Sequence, residues 1–512
     1  MLSKVVRYLP AAVLDSFMRR NAHNIDFLRS LILNSSPKDL DIMAKRKVVA
    51  AFKRAALNIS HYENFLSSRN VIISDVADFD DFVKYVPMMT KNDYVKTSKG
   101  LSDLCVGMDV SKCSLLARSS GYSGKASTWA KSREEQKESK NFAALGLDLL
   151  FNITKEKTLL VDTFALGSWV SGVDLLMIAD SKCSVIAPGA DMEESLDIFK
   201  DMKDEYDQFI FAGTPHFTKN LFEEGVRKKI NFKRYKINLL LGAEPFTEGW
   251  RQHMSTILGT SMRDDRKGFI FSAFGASDLG ITGVNETKDS AYIRYLCMND
   301  KKLRKAIYGT YASVLPTLFQ YDPTKYFIET NKKDELIFTN CDLKAMMPLI
   351  RYNIHDVGGL LTNDKVNKIL KEHGVSLKLE LPTPFVFVVG RSDGTVNFIG
   401  QLIYPEYIHD VIFSNKQFLK QFSGVFRLQE VYDKNYNPFL QIDVQLKKKQ
   451  RKSKALEKKA HAAVMRYFTK LSTDFPLNFS ILQKKTGKSP LIINLYEFEK
   501  YPHKHGIKVK YV

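Results

Sequence analysis

Beginning at residue 158 the chain alternates short apolar runs with amphipathic stretches, and this rhythm restricts its fold more than any other feature. The runs 158-TLLVDTFA-165, 208-QFIFAGTP-215, 237-INLLLGAEP-245 and 268-GFIFSAFG-275 have the length and continuous hydrophobicity of buried strands. Between them lie segments such as 192-MEESLDIFKDMKDEY-206, with Leu196, Phe199 and Met202 at helical spacing, and 247-TEGWRQHMSTILG-259. Strands alternating with helices predict an α/β protein on a largely parallel sheet. In such sheets, ligands bind beyond the carboxyl ends of the strands, in the loops that lead into helices. A chain of 512 residues, 44% hydrophobic and 26% charged, is ordinary globular material, enough for about two to four domains.

The flanks read differently. Residues 1–75 form a helical lead-in: Ser36 and Pro37, followed by Asp39, are an N-cap, a first-turn proline and an early acid, and Leu40, Met43, Val48, Phe52 and Ala56 continue an apolar face. The start, MLSKVVRYLPAAVLDSFMRRN, is not expected to be a signal peptide, because Lys4, Arg7 and Asp15 interrupt its apolar residues. It suits an amphipathic helix, either docked on its own domain or in peripheral contact with a membrane. No apolar run reaches the ~18–20 residues needed to span a bilayer. Five scattered cysteines without C-x-x-C spacing argue against a zinc ribbon or a disulfide framework and fit a reducing cytoplasm.

Positive charge gathers at the other end. Of the net +19, residues 391–512 contribute +12, from 22 Lys+Arg against 10 Asp+Glu, which marks a boundary near 390 between a large first domain (1–390) and a small basic second one (391–512). The run 447-KKKQRKSKALEKKAHAAVMRYF-468 carries Leu456, Ala460, Val464 and Phe468 every four residues, as one buried face of a helix whose lysines face water. Its lack of aromatics before Tyr467 speaks against nucleic acid as a partner. Just before it, 385-FVFVVGRSDGTVNFIGQLIYPEYIHDVIF-413 reads strand, turn, strand and helix start, with Asp393-Gly394 as a hairpin signal.

Four polar clusters interrupt this framework. The stretch 119-SSGYSGKASTW-129 packs two glycines, three hydroxyls and a lysine into seven positions, a composition suited to cradling anionic oxygens. It is not a Walker A loop, because Gly121 and Gly124 are too close and Ala126 follows Lys125, and a hydrophilic turn is the plain alternative. Gly242-Ala243-Glu244-Pro245 and 274-FGASD-278 follow strands, and 351-RYNIHD-356 follows the apolar stretch 347–350. Any one of these is what a βα turn needs; together they bring an aromatic ring and carboxylates around one crevice, the inventory of a nucleotide site.

In this order the motifs resemble those of the adenylate-forming superfamily of acyl-CoA synthetases, luciferases and peptide-synthetase adenylation domains, and more closely its phenylacetate-CoA ligase branch. SSGYSGK stands where that branch has Ser-Ser-Gly-Thr-Thr-Gly-Lys, Gly242–Pro245 match its Gly-Ala-Glu-Pro loop, and 274-FGASD-278 takes the place of Tyr-Gly-x-Ser-Glu. Residues 351–356 fit Arg-Tyr-x-x-x-Asp, and 390-GRSDG-394 fits the hinge Gly-Arg-x-Asp-Asp; 86-VPMMTKND-93 and 183-CSVIAPGADME-193 are similar to connecting segments. The likeness covers about 80 to the end.

The resemblance implies a large α/β domain of the adenylate-forming type, a small mobile α+β second domain, and a two-step ligase using ATP, Mg²⁺ and a thiol. A carboxylic acid attacks the α-phosphate of ATP to give an acyl-adenylate and pyrophosphate, and CoA, or the phosphopantetheine of an acidic acyl carrier protein, then displaces AMP. Ser119, Ser120, Gly121, Ser123, Gly124 and Lys125 hold the leaving pyrophosphate, where charge develops. Gly242, Ala243, Glu244 and Pro245 line adenine; Phe274 stacks on it within the segment Phe274-Gly275-Ala276-Ser277. Asp356 and Arg391 hold the ribose, Asp278 helps hold Mg²⁺, Asp393 is the hinge, and Trp169 and Ala273 border the acid's pocket. The family's catalytic lysine corresponds to Lys508 or Lys504 in 502-PHKHGIKVKYV-512.

Departures from the pattern matter as well. Tyr122 replaces a small hydroxyl residue, Ala126 a proline, and Asp278 is one methylene shorter than the family's Glu. These leave a second class of reading, a catalytically degenerate nucleotide-binding or membrane-associated scaffold. The acid itself is not named by any residue.

Overall fold

The computed structural model describes residues 9–21, 23–118, 127–167, 170–179, 182–312, 315–392, 394–413, 415–471 and 474–500. Chain packing divides them into two compact units that meet at 389/390.

The first unit is built on a twelve-stranded sheet, with the helical lead-in packed on it. Helix Pro37–Asn58 starts as its sequence dictates: Ser36 caps the amide of Asp39 at 3.1 Å, Pro37 fills the first turn, and Leu40, Met43, Val48, Phe52 and Ala56 are all buried. Helix Ala11–Arg20 docks on its own domain, burying Leu14 against Leu40 and Met43. Arg19 donates to Asp15 (2.6 Å) and Asp342 (2.9 Å) and pairs with Glu138, which ties this helix to the rest of its unit. Among the described residues no helix is long and apolar enough to cross a membrane.

Five strands of the sheet are parallel, in the order Ser184–Ile186, Thr158–Asp162, Gln208–Gly213, Lys236–Leu241, Ile270–Ala276. These are the four apolar runs read in the sequence plus one short edge strand. The expectation of a largely parallel sheet holds only for this half. From Gly280–Asn285 onward, pairing to Ile270–Ala276, Thr317–Gln320, Phe385–Arg391, Glu335–Asn340 and Tyr326–Thr330 is antiparallel. The turns that join Ile270–Ala276 to Gly280–Asn285, and Tyr326–Thr330 to Glu335–Asn340, are too short for the crossover a parallel pair requires.

The Asp393-Gly394 hairpin is also corrected. Strand Phe385–Arg391 has both edges occupied, by Thr317–Gln320 and Tyr352–Leu361, and offers no place for Val396–Phe398. That strand pairs instead with Gln401–Ile403 across Ile399 (φ 48°) and Gly400 (φ 74°), a two-residue turn with both central residues left-handed.

The second unit is an α+β domain. Phe422–Tyr432 pairs antiparallel with Pro438–Leu446, which pairs parallel with Leu491–Tyr496. Helix Lys454–Leu471 covers this sheet with Leu456, Ala460, Val464 and Phe468, all buried, while Lys454, Lys458 and Lys459 are exposed. Phe398, Phe426, Leu440 and Phe475 complete the same core; each such side chain contributes roughly 1.5–3 kcal/mol of burial.

Candidate active site

Neighbouring strand ends assemble the site in the first unit. Lys236–Leu241 leads into Gly242–Pro245 and Ile270–Ala276 into the turn carrying Asp278; Leu241 pairs with Ser272, so the two loops emerge side by side. The Gly242 amide donates to the Gly213 carbonyl at 3.1 Å, and a Cβ added to Gly242 would lie 3.5 Å from both the Ala273 carbonyl and the Phe164 ring. Ala243 is left-handed (φ 68°), a conformation that non-glycine residues adopt seldom and that gathers at functional sites. Glu244 is buried, whereas Ala243 and Pro245 are exposed.

Phe274 is half-buried, its ring 6.0 Å from Phe338 at an interplanar angle of 15° and 5.9 Å from Phe319. Its carbonyl accepts the Thr282 hydroxyl at 2.5 Å. Packing thus sets the plane in which this ring can meet another. Gly275 is exposed, and Ala273, Ala276 and Ser277 are half-buried.

Asp278 stands at the centre of a four-residue cluster. The Tyr352 hydroxyl donates to its Oδ2 at 2.5 Å, and the Lys91 ammonium lies 3.7 Å from its Oδ1. The same ammonium lies 5.6 Å from the Trp129 ring centre, and Trp129 meets the buried Tyr352 ring edge-on at 6.3 Å. Lys91 reaches this place because Met89–Thr90 adds a parallel strand to Tyr352–Leu361, with Met89 opposite Tyr352. Thr90 and Asp93 then form a reciprocal cap, Thr90 N donating to Asp93 at 2.6 Å, which turns the chain at Lys91. Trp129 belongs to the hairpin of Cys113–Arg118 and Thr128–Ser132, whose pair Arg118–Thr128 closes around 119–126.

The segment 351–356 divides its labour. Arg351 is buried and left-handed (φ 50°), donating to the carbonyls of Val83 (2.9 Å) and Val86 (2.6 Å) and to Glu329 (3.0 Å), so it ties the end of helix Phe79–Tyr85 to the sheet. Asp356 is half-buried on the same strand, just beyond left-handed His355 (φ 66°). Arg391 is the half-buried last residue of Phe385–Arg391. Ser119, Ser120, Gly121, Ser123, Gly124, Lys125, Trp169, Asp393, Lys504 and Lys508 lie outside the described residues.

Sequence reasoning missed Lys91, Trp129 and Tyr352. The stretch 86-VPMMTKND-93 was legible as a connecting segment, but the parallel pairing that carries its lysine to Asp278 joins residues far apart in the chain. It also missed Asp162, fully buried at the carboxyl end of Thr158–Asp162, where the order of parallel strands reverses direction. One of its oxygens accepts the Phe164 amide at 3.0 Å, the other has no hydrogen-bond partner, and burial pushes its carboxyl up to about 7. Among the described residues no three His, Cys, Asp or Glu side chains form a group able to hold a metal ion by themselves.

No protein-family model and no curated protein matches the chain. Solved structures do. A 2-hydroxyisobutyryl-CoA ligase in complex with 2-HIB-AMP and CoA, in its thioesterification state, superimposes with a TM-score of 0.60 over 91% of this chain and 88% of that one, at 14% identity. This is the fold of the adenylate-forming CoA ligases. The same ligase in its postadenylation state with R3-HIB-AMP gives a TM-score of 0.53 at 14% identity, over 91% of this chain and 87% of that one. With 2-HIB-AMP in that state the score is 0.52 at 15% identity. Both units of an adenylate-forming fold are therefore represented, while the nearer likeness to the phenylacetate-CoA ligase branch rests on the motifs.

Proposed function

We propose that the protein activates a small carboxylic acid with ATP and transfers the acyl group to a thiol, as an AMP-forming acid–thiol ligase. The observation that carries this reading is the convergence, at adjoining strand ends of an adenylate-forming fold, of the Gly242–Pro245 loop, the Phe274 ring and the Asp278–Tyr352–Lys91 cluster. A carboxylate oxygen attacks the α-phosphorus, its bond to the bridging oxygen breaks, and pyrophosphate leaves. The thiol, losing its proton, then attacks the acyl carbon and AMP departs. Phe274 stacks on adenine, Asp356 and Arg391 take the ribose hydroxyls, and Ser119 to Lys125 receive the β- and γ-phosphates. Lys508, or Lys504, supplies the cation at the α-phosphate, and Asp393 is the pivot between the two steps.

Lys91 joins this set. Lying over the ring of Trp129, the residue after the Arg118–Thr128 pair, it offers a positive charge to the leaving phosphates, steadied by Asp278. Mg²⁺ fits the same place in a limited way: it keeps waters and substrate oxygens as most of its ligands and needs one or two carboxylates, and Asp278 supplies one. Bound with ATP, the ion would neutralise the triphosphate during displacement. Trp169 and Ala273 border the acid; the Ala273 carbonyl and the Phe164 ring both lie close to Gly242.

CoA is the first choice of acceptor; an acidic carrier protein is the second, favoured by the +12 charge of residues 391–512. Pyrophosphate exchange into ATP, run with a panel of carboxylic acids and followed by thioester formation with CoA or a carrier protein, tests the reading. A protein that binds ATP but exchanges with no acid would be the degenerate scaffold instead.

A further inference from the structure

Behind the Gly242–Pro245 loop lies a buried group of four charges with no part in the chemistry above. Glu248, Arg251, Glu286 and Arg294 are each no more than 4% exposed. Arg251 Nη2 lies 3.0 Å from Glu248 and 2.6 Å from Glu286; Arg294 Nη1 lies 3.2 Å and 3.6 Å from the same two carboxylates. The group is electroneutral, two guanidinium ions against two carboxylates, and both arginines lie over the Phe246 ring, at 4.9 and 5.8 Å.

Such a cluster is a poor way to gain stability, since apolar side chains of similar volume serve as well or better in a core. Its main-chain bonds show what it holds instead. Arg294 Nη2 donates to the Phe246 carbonyl at 2.8 Å, the residue immediately after Pro245. Glu286 accepts the Ser272 amide at 2.8 Å, and Arg251 donates to the Ile270 carbonyl, both on the strand that carries Phe274. The four charges therefore bridge the loop and the strand that form the two sides of the adenine site in the reading above, on which this inference rests. We infer that Glu248, Arg251, Glu286 and Arg294 are positioning residues that fix the spacing between Gly242–Pro245 and Phe274 and so set affinity and selectivity for the adenine ring.

The Glu248→Gln/Arg294→Met double substitution tests this while keeping the buried charge balanced, because Arg251 and Glu286 remain paired and hold Ile270 and Ser272. Of the three main-chain bonds only the one to Phe246 is lost, together with the ion pairs that Glu248 and Arg294 make within the group. Calorimetry with ATP, AMP and ITP on the full chain is expected to show roughly tenfold weaker ATP and AMP binding and a smaller preference for ATP over ITP. In exchange assays the KM for ATP rises by a similar factor with kcat near wild type. Arg294→Lys, which keeps the charge but not the planar fork, is expected to lie between the two and guards against a double variant that fails to fold. Wild-type affinities and ATP/ITP preference in the folded variants, with only a lowered melting temperature, would overturn the inference and leave the nucleotide reading standing. No ATP binding by the wild type would overturn both.

Discussion

Lys91→Met is the substitution whose effect is best worked from the structure. The ammonium lies 3.7 Å from Asp278 Oδ1, and the two side chains are 24% and 15% exposed, so solvent screens them only in part. Two unit charges at that distance attract by about 4 kcal/mol at an effective dielectric of 20. A phosphate oxygen brought within the same reach gains a comparable gross attraction, from which desolvation and the competing carboxylate subtract, leaving the ~1.5–3 kcal/mol typical of a charge-assisted hydrogen bond. Methionine keeps the length and the packing over Trp129 but not the charge. ATP affinity is expected to fall by roughly 10- to 100-fold, pyrophosphate affinity by a like factor, and adenosine affinity hardly at all. Titration calorimetry with the three ligands, at fixed Mg²⁺ and repeated at two salt concentrations, reads this directly. A uniform loss across all three would make Lys91 a structural residue of the Tyr352–Asp278 cluster, and no loss in any would remove it from the site.

Other substitutions probe the remaining groups. Asp356→Ala is expected to weaken ATP and AMP alike by about 1.5–3 kcal/mol, the worth of charge-assisted bonds to the ribose, with 2′,3′-dideoxy-ATP indifferent to the change when measured by calorimetry. Lys508→Ala is expected to cut pyrophosphate exchange by ~3–4 kcal/mol of transition-state stabilisation while leaving ATP binding within a few-fold; unchanged exchange would move the role to Lys504. Asp162 predicts a pH dependence of stability. Burial raises its pKa from 3.8 to about 7, so the folded chain holds the proton longer than the unfolded one, and stability declines as pH rises through that window. Asp162→Asn, which keeps an acceptor for the Phe164 amide, is expected to flatten that decline and to stabilise the protein by about 4 kcal/mol at pH 8, read from melting curves at pH 5 and pH 8. An equal shift at both pH values would mean that its carboxyl does not titrate across the window.

What could be read from the chain alone was local. The strands at 158–162, 208–213, 236–241 and 270–276, the capped start at Ser36-Pro37 and the buried face of Leu456, Ala460, Val464 and Phe468 follow from periodicity and caps, which neighbouring residues determine. The adjacency of Gly242–Pro245 and 274–278 followed as well, because consecutive parallel strands bring their carboxyl ends together. Pairing between distant segments was not legible. The antiparallel half of the sheet, the burial of Phe385–Arg391 between two partners and the arrival of Lys91 beside Asp278 all depend on which strand meets which, and apolar strands are interchangeable in that respect. The Asp393-Gly394 signal misled for the same reason: a strand with both edges taken cannot form a hairpin with the segment that follows it. The buried group around Arg251 escaped notice because its members are spread from 248 to 294 among ordinary surface-type residues.

The most direct test of the central claim is exchange of radiolabelled pyrophosphate into ATP by the purified full-length protein, with Mg²⁺ and a panel of aryl, fatty and hydroxylated carboxylic acids. Acid-dependent exchange with at least one member, lost when Asp356 or Lys125 is substituted, is the expected result. Absence of exchange with every acid, by folded protein that also fails to bind ATP, would contradict the assignment of an adenylate-forming activity to this fold.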